Sequence, residues 1–200
     1  MEINNIRRSF FALAFILSSS SLLALELKSV DLNYTITIPS TWSVEKQDQT
    51  GFYIKSQDGK KSMDLAVITA GFGTIDSDYI ARYEQVLKKV HHVQLVSSRI
   101  FTIDGVPAYE NIQRLGEAPV ASVTIDRQII ADGKFYDLES DVPGGDATQD
   151  SEMQEALTSF HFLTQPKHSR LASAGVMFAV FGIIAAGIFA LLTRNRSKSL

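Results

Sequence analysis

"LNYTITIPSTWSV", residues 32–44, alternates apolar and polar side chains until a proline interrupts it. Tyr34, Ile36 and Ile38 point one way and Asn33, Thr35 and Thr37 the other, the pattern of a strand with one buried face. Pro39 cannot donate a ladder hydrogen bond, so it ends the strand, and Ser40-Thr41 make the turn. Trp42, the only tryptophan, is then expected to pack back over the edge of the core.

Outward from this stretch the same period continues. "FYIKS" (Phe52 to Ser56) and "MDLAVIT" (Met63 to Thr69) read as strands separated by the turn signal Asp58-Gly59. The unbroken apolar run Leu65 to Ile68 suits an inner strand covered on both faces. From Asp78 the period lengthens. Tyr79, Ile80, Tyr83, Val86, Leu87 and Val90 mark one helical face, with Asp76, Ser77 or Asp78 as N-cap and Lys88-Lys89 near the C-terminal end. Four more strand-like runs follow: "VQLVSSRIFTI", "PAYENIQRL", "ASVTIDRQII" and "KFYDLES". Asp104-Gly105 and Asp132-Gly133 separate two pairs of them as hairpin turns. A last helix is expected over Ser151 to Ser159, with Ser151 and Gln154 as a capping box and Met153, Ala156, Leu157 and Phe160 as its apolar face. Three strands, a helix, four strands and a helix predict an α+β fold. Its antiparallel sheet would have six or seven strands flanked by helices.

Charge is divided along the chain. Glu26 to Gln165 holds twelve lysines and arginines against twenty-one aspartates and glutamates, a net −9. Phosphates repel such a domain, so no nucleic-acid partner is expected. Cysteine is absent. That excludes disulfides, thiolate metal sites, cysteine nucleophiles and the lipid-modified cysteine of a bacterial lipoprotein.

The basic residues outside the acidic stretch flank two apolar ones. Residues 1–25 combine Arg7-Arg8, an apolar run from Phe10 to Leu17 and small residues, the layout of a secretory signal, either cleaved or kept as an anchor. Residues 171–192, Leu171 to Leu192, carry no charge and at 1.5 Å per residue reach roughly 33 Å, enough for a transmembrane helix. Lys167 and Arg170 before this helix nearly balance Arg194, Arg196 and Lys198 after it. The N-terminal signal therefore sets the orientation, placing the middle domain outside the cytoplasm and the basic tail, residues 193–200, inside. Gly175, Ala179, Gly182, Ala186 and Ala190 share one face of this helix, which permits a homodimer through it.

Three loose motifs carry a resemblance over Leu32 to Leu163. Tyr-x-Ile-x-Ile-Pro-x-x-Trp opens the domain, Gly-x-Pro-Ala-Tyr (Gly105 to Tyr109) forms a turn, and the last helix closes in Ser-Phe-His-Phe (Ser159 to Phe162). With the element order, they resemble the PsbP-like domains, which include the extrinsic photosystem II protein, bacterial DcrB-type envelope proteins and a Ran-binding import factor. The resemblance implies an α/β/α sandwich over residues 27–163, joined by a linker at 164–170 to the membrane helix, and a non-enzymatic binding or assembly role. It transfers no functional residue.

Catalytic constellations are missing. "GFGTID" (Gly71 to Asp76) places a carboxylate where a dinucleotide loop needs its third glycine, so it reads as a plain strand-to-helix loop. His91 and His92 are expected to end the first helix about 100° apart, which prevents a shared metal, and His161 reads as structural. Asp137, Glu139 and Asp141 alternate on one strand face close to Gly144, Gly145 and Asp146. They could hold a hard cation, but a solvated outer face opposite Tyr136, Leu138 and Val142 explains the alternation equally well. No catalytic residue, cofactor or metal ligand is assigned. The expected function is a single-pass membrane protein exposing an acidic domain outside the cytoplasm to bind or assemble with another protein. The alternative is a cation-binding, small-ligand-binding or enzymatic domain using the Asp137–Asp146 region.

Overall fold

The computed structural model describes residues 24–69, 73–117, 119 and 121–166. Among them the order is β1 (Ala24–Ser29), β2 (Tyr34–Pro39), β3 (Trp42–Asp48), β4 (Gly51–Ser56), β5 (Ser62–Thr69), α1 (Ser77–Leu87), β6 (Val93–Ile103), β7 (Val106–Leu115), β8 (Ser122–Ala131), β9 (Lys134–Asp141), a 3-10 turn (Ala147–Gln149), α2 (Ser151–Thr158) and β10 (His161–Phe162). The apolar N-terminal segment up to Leu23 and the Leu171–Leu192 span lie outside the described residues. Within the described residues, no helix is long and apolar enough to cross a membrane.

Seven strands form one antiparallel sheet in the order β3-β4-β5-β9-β8-β7-β6, and β1-β2-β10 form a small second sheet. The hairpins β6–β7 and β8–β9 turn through Asp104-Gly105 and Asp132-Gly133, with all four φ angles between 50° and 80°. That is the left-handed pair a two-residue hairpin of this hand requires, and aspartate and glycine tolerate it best.

Adjacent strand residues point to opposite faces, so each strand feeds two cores. Phe135 on β9 joins Ile75, Tyr79, Tyr83, Leu87, Tyr109 and Ile130 beneath α1. Its neighbour Tyr136 joins the larger cluster on the other face, where α2 supplies Met153, Ala156 and Leu157 and β2 supplies Tyr34, Ile36 and Ile38. The strand that opens the domain therefore buries its apolar face as expected, each side chain contributing about 1.5–3 kcal/mol. Trp42 is buried in the same cluster. Phe160 packs its ring among Tyr34, Tyr136 and Phe162, at centroid distances of 6.0, 6.4 and 5.7 Å.

Three local expectations need correction. Five described strands precede α1 rather than three, because the apolar segment before β1 masks its short alternation and β3 buries only Trp42. The N-cap of α2 is Asp150, whose extended backbone lets its carboxylate accept from the Met153 amide; Ser151 is already helical. Finally, α1 stops at Leu87 with Lys88 as its C-cap, so His91 and His92 lie in the turn beyond it.

Candidate functional site

Alternation on β9 sets Phe135, Asp137, Glu139 and Asp141 on the α1 face of the large sheet. Register then brings β5 and β8 alongside: Glu139 lies between Asp64 and Asp126, and Asp137 between Ala66 and Gln128. Five carboxylates thus share one face of three neighbouring strands: Asp64, Asp126, Asp137, Glu139 and Asp141. The basic residues of these strands, Arg127 and Lys134, point to the other face. By register among the described strands, the closest basic position is Lys55 on β4, diagonal to Asp64 at roughly 7–8 Å, while Lys46 on β3 lies two strands from Asp64, roughly 10 Å at the backbone.

The helix α1 partly covers this face and hangs on it by two hydroxyls. Tyr83 donates to Asp126 Oδ2 at 2.7 Å, and Tyr79 donates to Gln128 Oε1 at 2.7 Å. The same Asp126 oxygen accepts from Asn111 Nδ2 at 2.8 Å and from Gln128 Nε2 at 2.9 Å. Its other oxygen and Asp137 Oδ1 are fully buried without a donor. The two carboxyls are in hydrogen-bonding contact with each other. Such a contact is attractive only if one of them carries a proton. Three donors already occupy Asp126 Oδ2, so the proton belongs on Asp137.

Electrostatics agree. Burial first, then the charge of Asp126, holds the Asp137 carboxyl well above the usual carboxylate range. Glu139 is raised by burial and then by Asp64 and Asp126. Asp64 is pushed up to about 7 by burial and then by Asp126 and Asp141. The face that alternation offered as a solvated outer one is half-buried, because α1 packs on it and the side chains of β5 and β8 flank it on either side. Asp146 does not join the group. Its Oδ1 accepts from the Thr148 amide and hydroxyl at 2.8 and 2.6 Å, capping the 3-10 turn. Among the described residues no three His, Cys, Asp or Glu are arranged to hold a metal ion.

The opposite face carries the other charged group. Arg127 donates to Glu110 Oε2 at 2.7 Å and to the Leu157 carbonyl of α2 at 2.6 Å, while Arg99 reaches Glu110 Oε1 at 2.6 Å. Two of the three described histidines form surface pairs, His92 with Glu117 at 3.2 Å and His161 with Asp104 at 3.0 Å, and His91 lies next to His92.

A second feature is the open margin of the large sheet. β3, at one end, carries Glu45, Lys46 and Asp48 and a bulge between Val44 and Lys46, devices that blunt a free edge. β6, at the other end, runs eleven residues, and beyond its bulge at Leu95–Ser97 the stretch Ser98 to Ile103 pairs regularly with β7. Among the described residues no strand pairs with its outer side. Val96 and Ile100 are 50% and 57% exposed there.

This frame has a counterpart among solved structures. The solution structure of cyanobacterial PsbP (CyanoP) from Synechocystis sp. PCC 6803 superimposes with a TM-score of 0.51 at 11% identity, covering 72% of this chain and 95% of that one. The fold is PsbP-like. A crystal structure from Bacteroides thetaiotaomicron shows a weaker likeness, TM-score 0.46 at 15% identity, over 70% of this chain and 48% of that one. No family model matches the chain, and no curated protein matches it. At such identities the likeness extends to the PsbP-like frame and not to the residues placed on it.

Proposed function

We propose that the PsbP-like domain is a non-enzymatic binding or assembly module, held at a membrane by Leu171–Leu192 and displayed outside the cytoplasm. The β6 margin is the observation that carries this reading. An unpaired edge offers a row of backbone donors and acceptors to an incoming extended strand, with alternate side chains setting selectivity. Its regular stretch, Ser98 to Ile103, holds no acidic residue and one base, Arg99, which is engaged by Glu110. The occupant we infer is an extended, apolar-patterned segment of a different protein, neutral or basic in charge. Two copies of this domain, each at −9, repel one another. The rival reading, a cation or ligand site spanning Asp137 to Asp146, is weakened because Asp146 turns away into its own cap.

Site-directed photo-crosslinking in native membranes tests the proposal. A probe at Ser98 should yield one recurring adduct with another polypeptide, a probe at Glu45 on β3 should not, and Ile100→Lys should abolish the Ser98 adduct. Equal adducts at both margins, adducts of the chain with itself, or none at Ser98 would reject it. For topology, a reporter after Leu200 should behave as cytoplasmic and one inserted near Gly145 as exported; finding Gly145 cytoplasmic would invert the account.

A further inference from the structure

The binding role does not use the acidic face, yet that face is the least ordinary part of the molecule. Desolvating carboxylates side by side is strongly unfavourable while they are charged. We propose that Asp64, Asp126, Asp137, Glu139 and Asp141 form a proton-operated latch that holds α1 on the sheet and releases it when the group ionises.

Three observations support the latch. Asp126 and Asp137 each hold a buried oxygen without a donor and their carboxyls are in hydrogen-bonding contact, so a shared proton is a partner open to both. Removing that proton replaces a hydrogen bond with two like charges in contact. The same Asp126 holds Tyr83 directly and Tyr79 through Gln128, so the repulsion acts on the groups that anchor α1. Finally, α1 has eleven residues, too short to persist alone in water, so loosening its anchors exposes it to unwinding as well as to lifting.

The other groups facing the cluster do not supply a competing switch. Register sets Tyr53 beside Asp64 and Lys55 beyond Ser62, and β7 contributes Tyr109, Asn111 and Gln113. From α1 itself comes Glu84, which accepts from Ser98 and Tyr109 hydroxyls at 2.9 and 3.1 Å. Burial, with the cluster's own charge, pushes the Tyr79 and Tyr83 hydroxyls far above their ordinary range, so they stay protonated wherever the carboxyls titrate. Two exposed histidines follow α1: His92 is engaged by Glu117, and His91 lies beside it with ring centroids 6.3 Å apart.

Hydrogen exchange read by mass spectrometry on the full-length chain tests the latch, with labelling times scaled for the intrinsic pH dependence of exchange. Between about pH 5.5 and 8.5, peptides covering Ser77–Leu87 should lose protection about tenfold or more relative to peptides from β7 and β8. In Asp137→Asn/Glu139→Gln the loss should shrink to under about threefold. Equal protection of α1 across the range, or an undiminished loss in the double variant, overturns the proposal. Should that variant fail to fold, carbon-13 carboxyl titration of the unmodified protein decides: at least two aspartate or glutamate midpoints above about pH 6 support the latch, and fewer overturn it.

Discussion

Replacing Arg127 by methionine should leave the protein close to unfolding, while removing its partner as well should rescue it. Arg127 and Glu110 are 5% and 6% exposed, and the guanidinium serves two acceptors, Glu110 and the Leu157 carbonyl in the last turn of α2. Arg127→Met keeps most of the stem but strands a buried carboxylate. Losing one member of a buried pair costs about 3–5 kcal/mol, and an orphaned carbonyl about 1–3. The two losses overlap, and Arg99 still reaches Glu110 from the surface, so about 4 kcal/mol is the expected net cost, against a total stability of roughly 5–15. In Glu110→Leu/Arg127→Met both buried charges are gone, and the cost should fall to about 1–2 kcal/mol, mainly from the carbonyl. Urea denaturation at neutral pH, followed by the fluorescence of the single, buried Trp42, measures both variants. The pair also has a pH signature. Burial pushes the Glu110 carboxyl up, but Arg99 and Arg127 more than offset this and hold it below its usual value. Its contribution is therefore complete at neutral pH and lost on acidification. If Arg127→Met unfolds within about 1 kcal/mol of the parent, or the double variant is less stable than the single one, the reasoning about this pair is wrong.

Asp64→Asn should act in the opposite pH direction: with the native carboxyl at about 7 and the unfolded one near 4, its contribution is complete below about pH 4 and lost as pH rises through 7. The variant should gain about 2–4 kcal/mol at alkaline pH, the upper figure assuming no proton sharing, and almost nothing near pH 4; a gain independent of pH would refute this. Phe160→Ala empties the centre of the ring cluster and should cost about 3–5 kcal/mol in the same denaturation assay; a cost under about 1 would mean the site is not packed as described. Asp150→Ala removes the α2 cap and an ion pair with Lys61 at 2.7 Å, and should cost about 1–2 kcal/mol at neutral pH. The Lys61 and Met153 contacts outweigh burial and hold Asp150 below its ordinary value, so this difference should vanish in strong acid.

The elements legible in the sequence were those with a clean period. β2, β9 and α1 follow from alternation or helical spacing, because each buries one face continuously. β3 was invisible since only Trp42 among its seven residues is buried, leaving no pattern to read. β10 is two residues long, and β1 sits against the end of an apolar segment whose composition masks its period. The acidic face was half legible. Asp137, Glu139 and Asp141 share a face by spacing alone, but Asp64 and Asp126 join them only through register. Asp126 and Arg127 show the limit well: neighbours of opposite charge in the chain, they are sent by the pleat to opposite faces and serve different helices.

The small sheet β1-β2-β10 determines when the domain can take shape. β10 pairs with β2 through Phe162↔Tyr34 and His161↔Thr35, and Phe160 fills the space between Tyr34 and Tyr136. The keystone of the larger core is therefore delivered by the last residues of the domain to be synthesised and received by some of the first. Such distant closures slow folding, since chain entropy must be surrendered before the contact rewards it. A nascent chain that has reached only α2 still lacks the rings that lock its opening strand. Until Phe162 is free to pair, the chain should remain open, protease-sensitive and able to pass through a narrow conduit unfolded, and commitment to the native state becomes an event that follows synthesis of the whole domain.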